Sequence, residues 1–423
     1  MKSTLFISII FFLCTPVFAQ NISGDWEGNI DVNETRIPIV YHFSKDNSGK
    51  IVGKWDSPRQ NAIGLPFSDI NVNEDSVNLE VKLIDGFYRG KFVNSDSITG
   101  IWNQNGHDIP LNFARTKGNA GEIKPVPVYP NEKEISITSA GGSKLYGTLL
   151  SKNNLQKIAI IIAGSGPTNR DGNSAISAPT NEYQMLAHSL DSQNIATFRY
   201  DKRGIAKSSI ANFKERDLTF DDYVKDAEKI FDYLHDTLGF KNIYFIGHSE
   251  GSLIAMLASQ KKKAGGYISV AGAGRPIDVI LEEQMQRQPL PDSVKQQIPL
   301  ILNQLKLGKE VNNFPEILSP LFRKSVQPYM ISWLKYSPEN EIKKLKCPVL
   351  IIQGSCDIQV QIEDAENLHN ANKKSVLDIV PNMSHTLKNA GKDCVDQNKT
   401  YTDGSIPIDQ KLVADIVKFI GKI

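Results

Sequence analysis

The sequence predicts two domains: a small antiparallel β-barrel or sandwich over residues 20–118, then a mostly parallel sheet with helices on both faces and a helical cap over residues 132–423. Three observations predict this. In the first region short runs alternate apolar and polar residues, as in Arg36-Ile37-Pro38-Ile39-Val40-Tyr41-His42-Phe43 and Val77-Asn78-Leu79-Glu80-Val81. Turn formers such as Asp46-Asn47-Ser48-Gly49 and Asn94-Ser95-Asp96-Ser97 interrupt them, the pattern of half-buried antiparallel strands. In the second region apolar runs of strand length alternate with helical stretches, as strands buried on both faces require. The length, 423 residues, also exceeds one ordinary domain.

The chain opens with an expected export signal over residues 1–19. Lys2 supplies the positive start, Leu5 to Leu13 the apolar run, and Val17-Phe18-Ala19 the small residues before cleavage after Ala19. That run is too short for an anchor, which takes about 20 apolar residues. Cys14 follows the bulky Leu13 where a lipidation site wants a small residue, so no stable membrane anchor is expected. The expected location is the periplasm or the medium. With 48 basic and 47 acidic residues, net charge +1 and no long runs of one sign, nothing calls for nucleic acid or an anionic membrane as partner.

Within residues 20–118 a Gly-x-Trp triplet recurs as Gly24-Asp25-Trp26, Gly53-Lys54-Trp55 and Gly100-Ile101-Trp102, using three of the four tryptophans. One reading is an aromatic face for a carbohydrate. The other, which the residues favour, is that each Trp plugs the barrel while the Gly permits a bend or a close approach. The region has no constellation able to do chemistry. Residues 119–131, with Pro125, Pro127 and Pro130, are expected to form a semi-rigid linker.

Beyond the linker, strands are expected at Glu134–Thr138, Leu145–Leu150, Ala159–Ala163, Ala196–Tyr200, Ile243–Ile246, Tyr267–Val270, Val349–Ile352 and Val376–Val380. Helices are expected between most of them, including Phe220–Leu238 and Gly251–Gln260. Residues 276 to about 345 carry helical but no strand patterns and form the expected cap over the sheet's C-terminal edge, where such sheets bind ligands.

Gly247-His248-Ser249-Glu250-Gly251 lies between the apolar strand ending at Ile246 and a helical run, where flanking glycines permit a tight turn that lifts a serine hydroxyl above the sheet. A hydroxyl is a poor nucleophile at neutral pH and needs a base. Met383-Ser384-His385 follows the last strand and supplies His385; Gly354-Ser355-Cys356-Asp357 follows the strand before it and supplies Asp357 as the orienting acid. The other candidates are weaker: His248 is expected to pack beneath the nucleophile, His369 and His188 to sit on helices, and Asp378 to point away within a strand. The oxyanion hole is expected to use the backbone N–H of Glu250 and that of Ser165 in the loop Gly164–Asn173, with Gly166 as rival. This glycine-rich loop fits neither GxxxxGK[ST] nor GxGxxG, so phosphate cradling is not expected.

The cysteines fit no metal site, and neither metal nor cofactor is expected. Loss of the signal leaves Cys347, Cys356 and Cys394, an odd count that implies one bridge and one buried thiol. Cys347, at the start of an apolar strand, is the expected buried one. Cys356 lies beside Asp357 and Cys394 nine positions after His385, so the approach of acid and base loops makes a Cys356–Cys394 bridge geometrically plausible.

Five stretches together carry a family resemblance: Gly164 to Asn173, Arg199-Tyr200-Asp201-Lys202-Arg203-Gly204, Gly247 to Gly251, Gly354 to Val360 and Asn382-Met383-Ser384-His385. Residues 132–423 resemble the α/β-hydrolase superfamily, and look like its esterase, dienelactone-hydrolase and serine-aminopeptidase-like branch. The resemblance implies an acyl-enzyme on Ser249 with His385 as base and Asp357 as its orienting acid, and structural roles for Asp201 and Arg203. One departure is Ala206, where such relatives often carry Gly. The leading expectation is a serine hydrolase of carboxylic esters, short-chain acyl esters of a small or carbohydrate-derived substrate. An aminopeptidase-like peptidase is the alternative, with Glu282 and Glu283 available to hold a substrate amine. A non-catalytic binding protein is the third reading, and has no need of all three triad residues.

Overall fold

A computed structural model describes residues 21–32, 35–46, 48–57, 62–73, 75–81, 86–104, 107–116, 131–139, 141–152, 156–173, 180–208, 214–401 and 403–422. The expected export signal with Cys14 and Ala19, and most of the expected linker with Pro125, Pro127 and Pro130, lie outside the described residues. The chain divides into two compact units, one ending at Lys124 and one beginning at Pro125.

In the first unit, ten strands between Gly24 and Arg115 form one barrel-like antiparallel sheet among the described residues. Chain neighbours pair for the most part, and the strand Gly24–Val32 also pairs with Phe113–Arg115, bringing the two ends of the domain together. Trp26 lies opposite Tyr41, Tyr41 opposite Trp55, and Tyr88 opposite Trp102, so these aromatics share the inward face. All five are buried. The Gly-x-Trp triplets serve this core: a Cβ on Gly53 would meet the Phe43 ring at 2.7 Å, and one on Gly100 the Arg89 carbonyl at 2.5 Å.

On this unit His42 sits between two carboxylates, Nδ1 2.8 Å from Asp25 and Nε2 3.0 Å from Asp56. The Asp56 hydrogen bond, opposed by burial and helped by Asp25, raises His42 to about 9. An imidazole in the unfolded chain titrates near about 6.5. The pair of bonds therefore stabilises the fold fully below that pH, and the contribution disappears as pH rises through about 9. The expected result is that His42→Asn lowers Tm at pH 6, with the gap to wild type closing by pH 10. An equal gap at both pH values would refute this origin.

In the second unit, eight strands form one sheet among the described residues: β1 (Glu132–Thr138), β2 (Lys144–Leu150), β3 (Lys157–Ile162), β4 (Ala196–Tyr200), β5 (Asn242–His248), β6 (Gly266–Val270), β7 (Val349–Gly354) and β8 (Val376–Val380). Their order is β1-β2-β4-β3-β5-β6-β7-β8, antiparallel at β1–β2 and β2–β4 and parallel elsewhere. In β3 to β6 nearly every residue is buried, which is why these runs are continuously apolar.

Around the sheet lie α1 (Glu182–Ser192), α2 (Phe220–Asp232), α3 (Glu250–Lys261), three longer helices of the cap, α4 (Ile277–Gln286), α5 (Ile298–Lys306) and α6 (Gln327–Trp333), and then α7 (Ile362–Ala371) and α8 (Gln410–Lys422). A capping box starts α2: Thr219 and Asp222 exchange side-chain and backbone bonds. The helix expected to run to Leu238 stops being α at Asp232 and ends in a π turn, Tyr233–Thr237, before Gly239 at φ +79°. Between β6 and β7, residues 276–345 contain helices and no strand. Phe220 stacks on Trp333 at 5.5 Å, and Ile280, Leu305 and Met330 join the same core as β5, so the cap is packed into the domain.

One thiol differs from expectation. Cys347 is free, but half-buried and not fully buried. The strand begins only at Val349, after Pro348, which has no N–H to pair, so Cys347 lies on the approach to the sheet.

Candidate active site

Ser249 stands at the turn from β5 into α3, with φ 53° and ψ −120°. A non-glycine residue held there is strained, and the surrounding packing must enforce it. Both flanking glycines do so by close approach. A Cβ on Gly247 would lie 2.2 Å from the Gly251 carbonyl oxygen, and one on Gly251 2.3 Å from that of Ile162. No other residue fits either position without moving backbone, so this glycine spacing is a steric requirement of the turn.

The loops after β7 and β8 bring Asp357 and His385 together. His385 donates from Nδ1 to Asp357 Oδ2 at 2.8 Å, and both residues are buried. Asp357 Oδ1 accepts from the backbone N–H of Gln359 (2.8 Å) and Val360 (3.0 Å), while Gln353 Nε2 donates to Oδ2 at 3.0 Å. Burial alone would raise this carboxyl; the His385 charge and hydrogen bond, with the two backbone donors, outweigh it and hold the carboxyl below its ordinary range. Because Nδ1 is engaged, Nε2 is the nitrogen of His385 able to receive a serine proton. Among the described residues Ser249 Oγ makes no hydrogen bond to it, a contact that in serine hydrolases tightens when substrate arrives.

His248 ties the loop of His385 to the turn that carries Ser249. Its Nε2 lies 2.9 Å from the His385 carbonyl oxygen and its Nδ1 2.7 Å from the Tyr183 hydroxyl. Burial, reinforced by the His385 charge, pushes His248 down to about 3, so the ring is neutral. A carbonyl only accepts, so Nε2 carries the proton and Tyr183 donates to Nδ1. The Tyr183 oxygen in turn accepts the N–H of Gly164 at 2.9 Å. One chain of hydrogen bonds thus joins the loop after β3, the turn at Ser249 and the loop of His385. His248, expected to pack beneath Ser249, is buried and serves as a hydrogen-bonded link; nothing in the sequence points to Tyr183, 65 positions away.

Ser165, Ser249 and Glu250 line one small cavity of about 120 Å³. The N–H of Glu250 is the first of α3 and has no acceptor within the helix. Gly166, the rival donor, does not line this cavity. The cavity's other walls are mainly apolar, including Leu253, Ile277, Ile280, Leu281 and Trp333.

Other singled-out residues fall into structural roles. Asp201 holds Arg170, whose Nη2 donates to Oδ2 at 2.7 Å, and Arg203 donates twice to buried Asp226. His188 bonds Glu132, His369 bonds Ser375, and Asp378 pairs with Lys411. Glu283 is engaged by Arg275, at 2.6 Å and 3.1 Å, which also holds buried Asp364. Ala206 takes φ +45°, a left-handed conformation that costs a non-glycine residue about 1–2 kcal/mol and that glycine adopts freely. Cys356 and Cys394 are disulfide-bonded, with Cα atoms 5.5 Å apart, linking the acid loop to the segment after the base.

A sheet in this order, with its serine on such a turn and its histidine after the last strand, has the α/β-hydrolase architecture. Residues 178–315 match the family described as Serine aminopeptidase, S33. The chain is similar to Esterase EstD of Thermotoga maritima, 24% identical over 246 residues covering 56% of this chain and 54% of the relative. It thus spans about half the length of that curated relative. Similar solved structures include the esterase Pf2001 of Pyrococcus furiosus (17% identical, 69% of this chain and 91% of that chain, TM-score 0.46). Another is Est1E of Butyrivibrio proteoclasticus with ferulic acid bound (20% identical, 68% and 99%, TM-score 0.45).

Proposed function

We propose that this chain is an exported serine esterase acting on short-chain acyl esters of small molecules. In the mechanism, Ser249 Oγ attacks the ester carbonyl as its proton passes to His385 Nε2, and Asp357 stabilises the imidazolium. The tetrahedral oxyanion is held by the N–H groups of Ser165 and Glu250. Its collapse expels the alcohol, which takes the proton from His385. Water, activated by the same nitrogen, then releases the acid and frees Ser249.

The observation that carries this reading is the cavity beside Ser249. At about 120 Å³ it is smaller than the roughly 150 Å³ apolar cavity that admits benzene. Its apolar walls suit an acetyl to butyryl group. An aminopeptidase needs a free carboxylate beside the nucleophile for the substrate amine; Glu283 is paired with Arg275, and neither it nor Glu282 lines the cavity beside Ser249. The Cys356–Cys394 bridge supports export, since such bonds persist in oxidising compartments.

The test is a panel of p-nitrophenyl esters from acetate to decanoate, run in parallel with aminoacyl p-nitroanilides. We expect the highest kcat/KM between acetate and butyrate, then a fall of roughly tenfold or more once a methylene no longer fits. Preference for the anilides would make the protein a peptidase. Preference for long chains would mean the acyl group does not occupy this cavity.

A further inference from the structure

Lys202 is buried, 1% exposed, on the loop after β4, between the two residues of that loop with structural partners. Its ammonium donates to the Gly164 carbonyl at 2.5 Å and to Glu250 Oε1 at 2.9 Å, and lies 4.9 Å from the centre of the Tyr223 ring. A buried ammonium is expensive to desolvate unless it is well paired, and a buried pair of this kind adds little to stability by itself. Its partners are the carbonyl of the Gly164–Ser165 peptide unit, whose N–H is one donor of the oxyanion hole in the reading above, and the side chain of Glu250, whose backbone N–H is the other.

The connection is geometric. A trans peptide unit is planar, so its C=O and N–H point in opposite directions. Holding the Gly164 carbonyl on Lys202 therefore fixes the direction of the Ser165 N–H. The same ammonium holds the side chain of Glu250, whose N–H opens α3. Gly164 is also pressed against the nucleophile: a Cβ there would lie 3.3 Å from Ser249 Cβ. One charge thus ties the loop after β3 to the first turn of α3, across the gap the oxyanion must enter.

We propose that Lys202 is a positioning residue that sets the oxyanion hole by anchoring both of its donor residues at once. It touches no reacting atom and acts through the orientation of Ser165 and Glu250. This inference rests on the acyl-transfer reading of Ser249.

The test compares wild type, Lys202→Met and Glu250→Gln on p-nitrophenyl butyrate, together with inhibition by an alkyl trifluoromethyl ketone. That ketone forms a tetrahedral adduct whose oxygen occupies the hole. Loss of one oxyanion donor costs about 10²–10³ in kcat. Lys202→Met is expected to lose that much kcat with KM within about threefold, and to weaken the ketone's Ki in parallel with kcat/KM, as transition-state binding requires. Glu250→Gln keeps an acceptor for Lys202 and should lose less than about tenfold, about one charge-assisted hydrogen bond. A folded Lys202→Met, by circular dichroism and Tm, with kcat within threefold or with unchanged ketone affinity overturns the proposal. Should that variant not fold, Lys202→Gln, which retains one donor, replaces it under the same criteria. Should neither fold, Glu250→Ala, which removes the Lys202 partner and keeps the backbone N–H, decides, with unchanged ketone affinity overturning the proposal. A wild type that neither hydrolyses the ester nor binds the ketone overturns the Ser249 reading as well, which separates the two failures.

Discussion

Ser249→Ala should reduce ester hydrolysis by about 10⁶-fold in kcat, the usual result when the nucleophile of a coupled triad is removed. The fold should survive. Among the described residues the Ser249 hydroxyl makes no hydrogen bond, and the conformation of the turn is imposed by Gly247 and Gly251 and by the Ser249 N–H, which donates to Val270 at 3.0 Å. Alanine asks nothing new of that backbone, so Tm should be close to wild type. A fluorophosphonate should label the wild type at Ser249 and leave the variant unlabelled. Labelling at another residue, or turnover near the wild-type rate, would remove Ser249 from the mechanism.

On the proposed mechanism, Asp357→Asn should cost about 10⁴-fold in kcat at neutral pH, as the same change does in a serine protease where the wrong histidine tautomer results. The reason can be traced atom by atom. The backbone N–H groups of Gln359 and Val360 both donate to Oδ1 and will hold an amide oxygen there. The amide NH₂ must then face His385 Nδ1, now as a donor, and the ring responds by carrying its proton on Nε2. That nitrogen can no longer take the proton of Ser249. The amide also faces Gln353 Nε2, a second donor with nothing to bond, so some loss of Tm is expected. Activity within tenfold of wild type, measured with p-nitrophenyl butyrate between pH 6 and 9, would mean Asp357 is not the orienting acid.

Much of the candidate site was legible because chemistry-bearing residues in such a sheet follow the ends of apolar strands. Ser249, Asp357 and His385 each lie a few residues past a run that could only be a buried strand. The contacts that hold them were not legible. Lys202 meets Gly164 and Glu250 across 38 and 48 positions, and no periodicity marks such pairs. Glu283 looked available for a substrate amine because Arg275, eight residues earlier, gives no local sign that it will turn back to it. Ala206 stood out as a departure from relatives, but only its positive φ gives that departure a physical meaning. In the β unit the aromatic core followed from alternation alone, whereas the half-buried position of Cys347 depended on where one strand begins.

The bridge between Cys356 and Cys394 has a consequence for the edge of the sheet. The two cysteines are 38 positions apart, and the covalent ring they close contains α7 and all of β8, the outermost strand. An outermost strand has one hydrogen-bonded neighbour and is where a sheet peels first. Here a peeled strand stays tethered at both ends, and its freedom when detached is that of a closed loop and not of a chain end. On the chain-entropy account a ring of this size is worth about 3–4 kcal/mol. His385 lies inside that ring, so a fluctuation that frees the edge still returns its imidazole to Asp357.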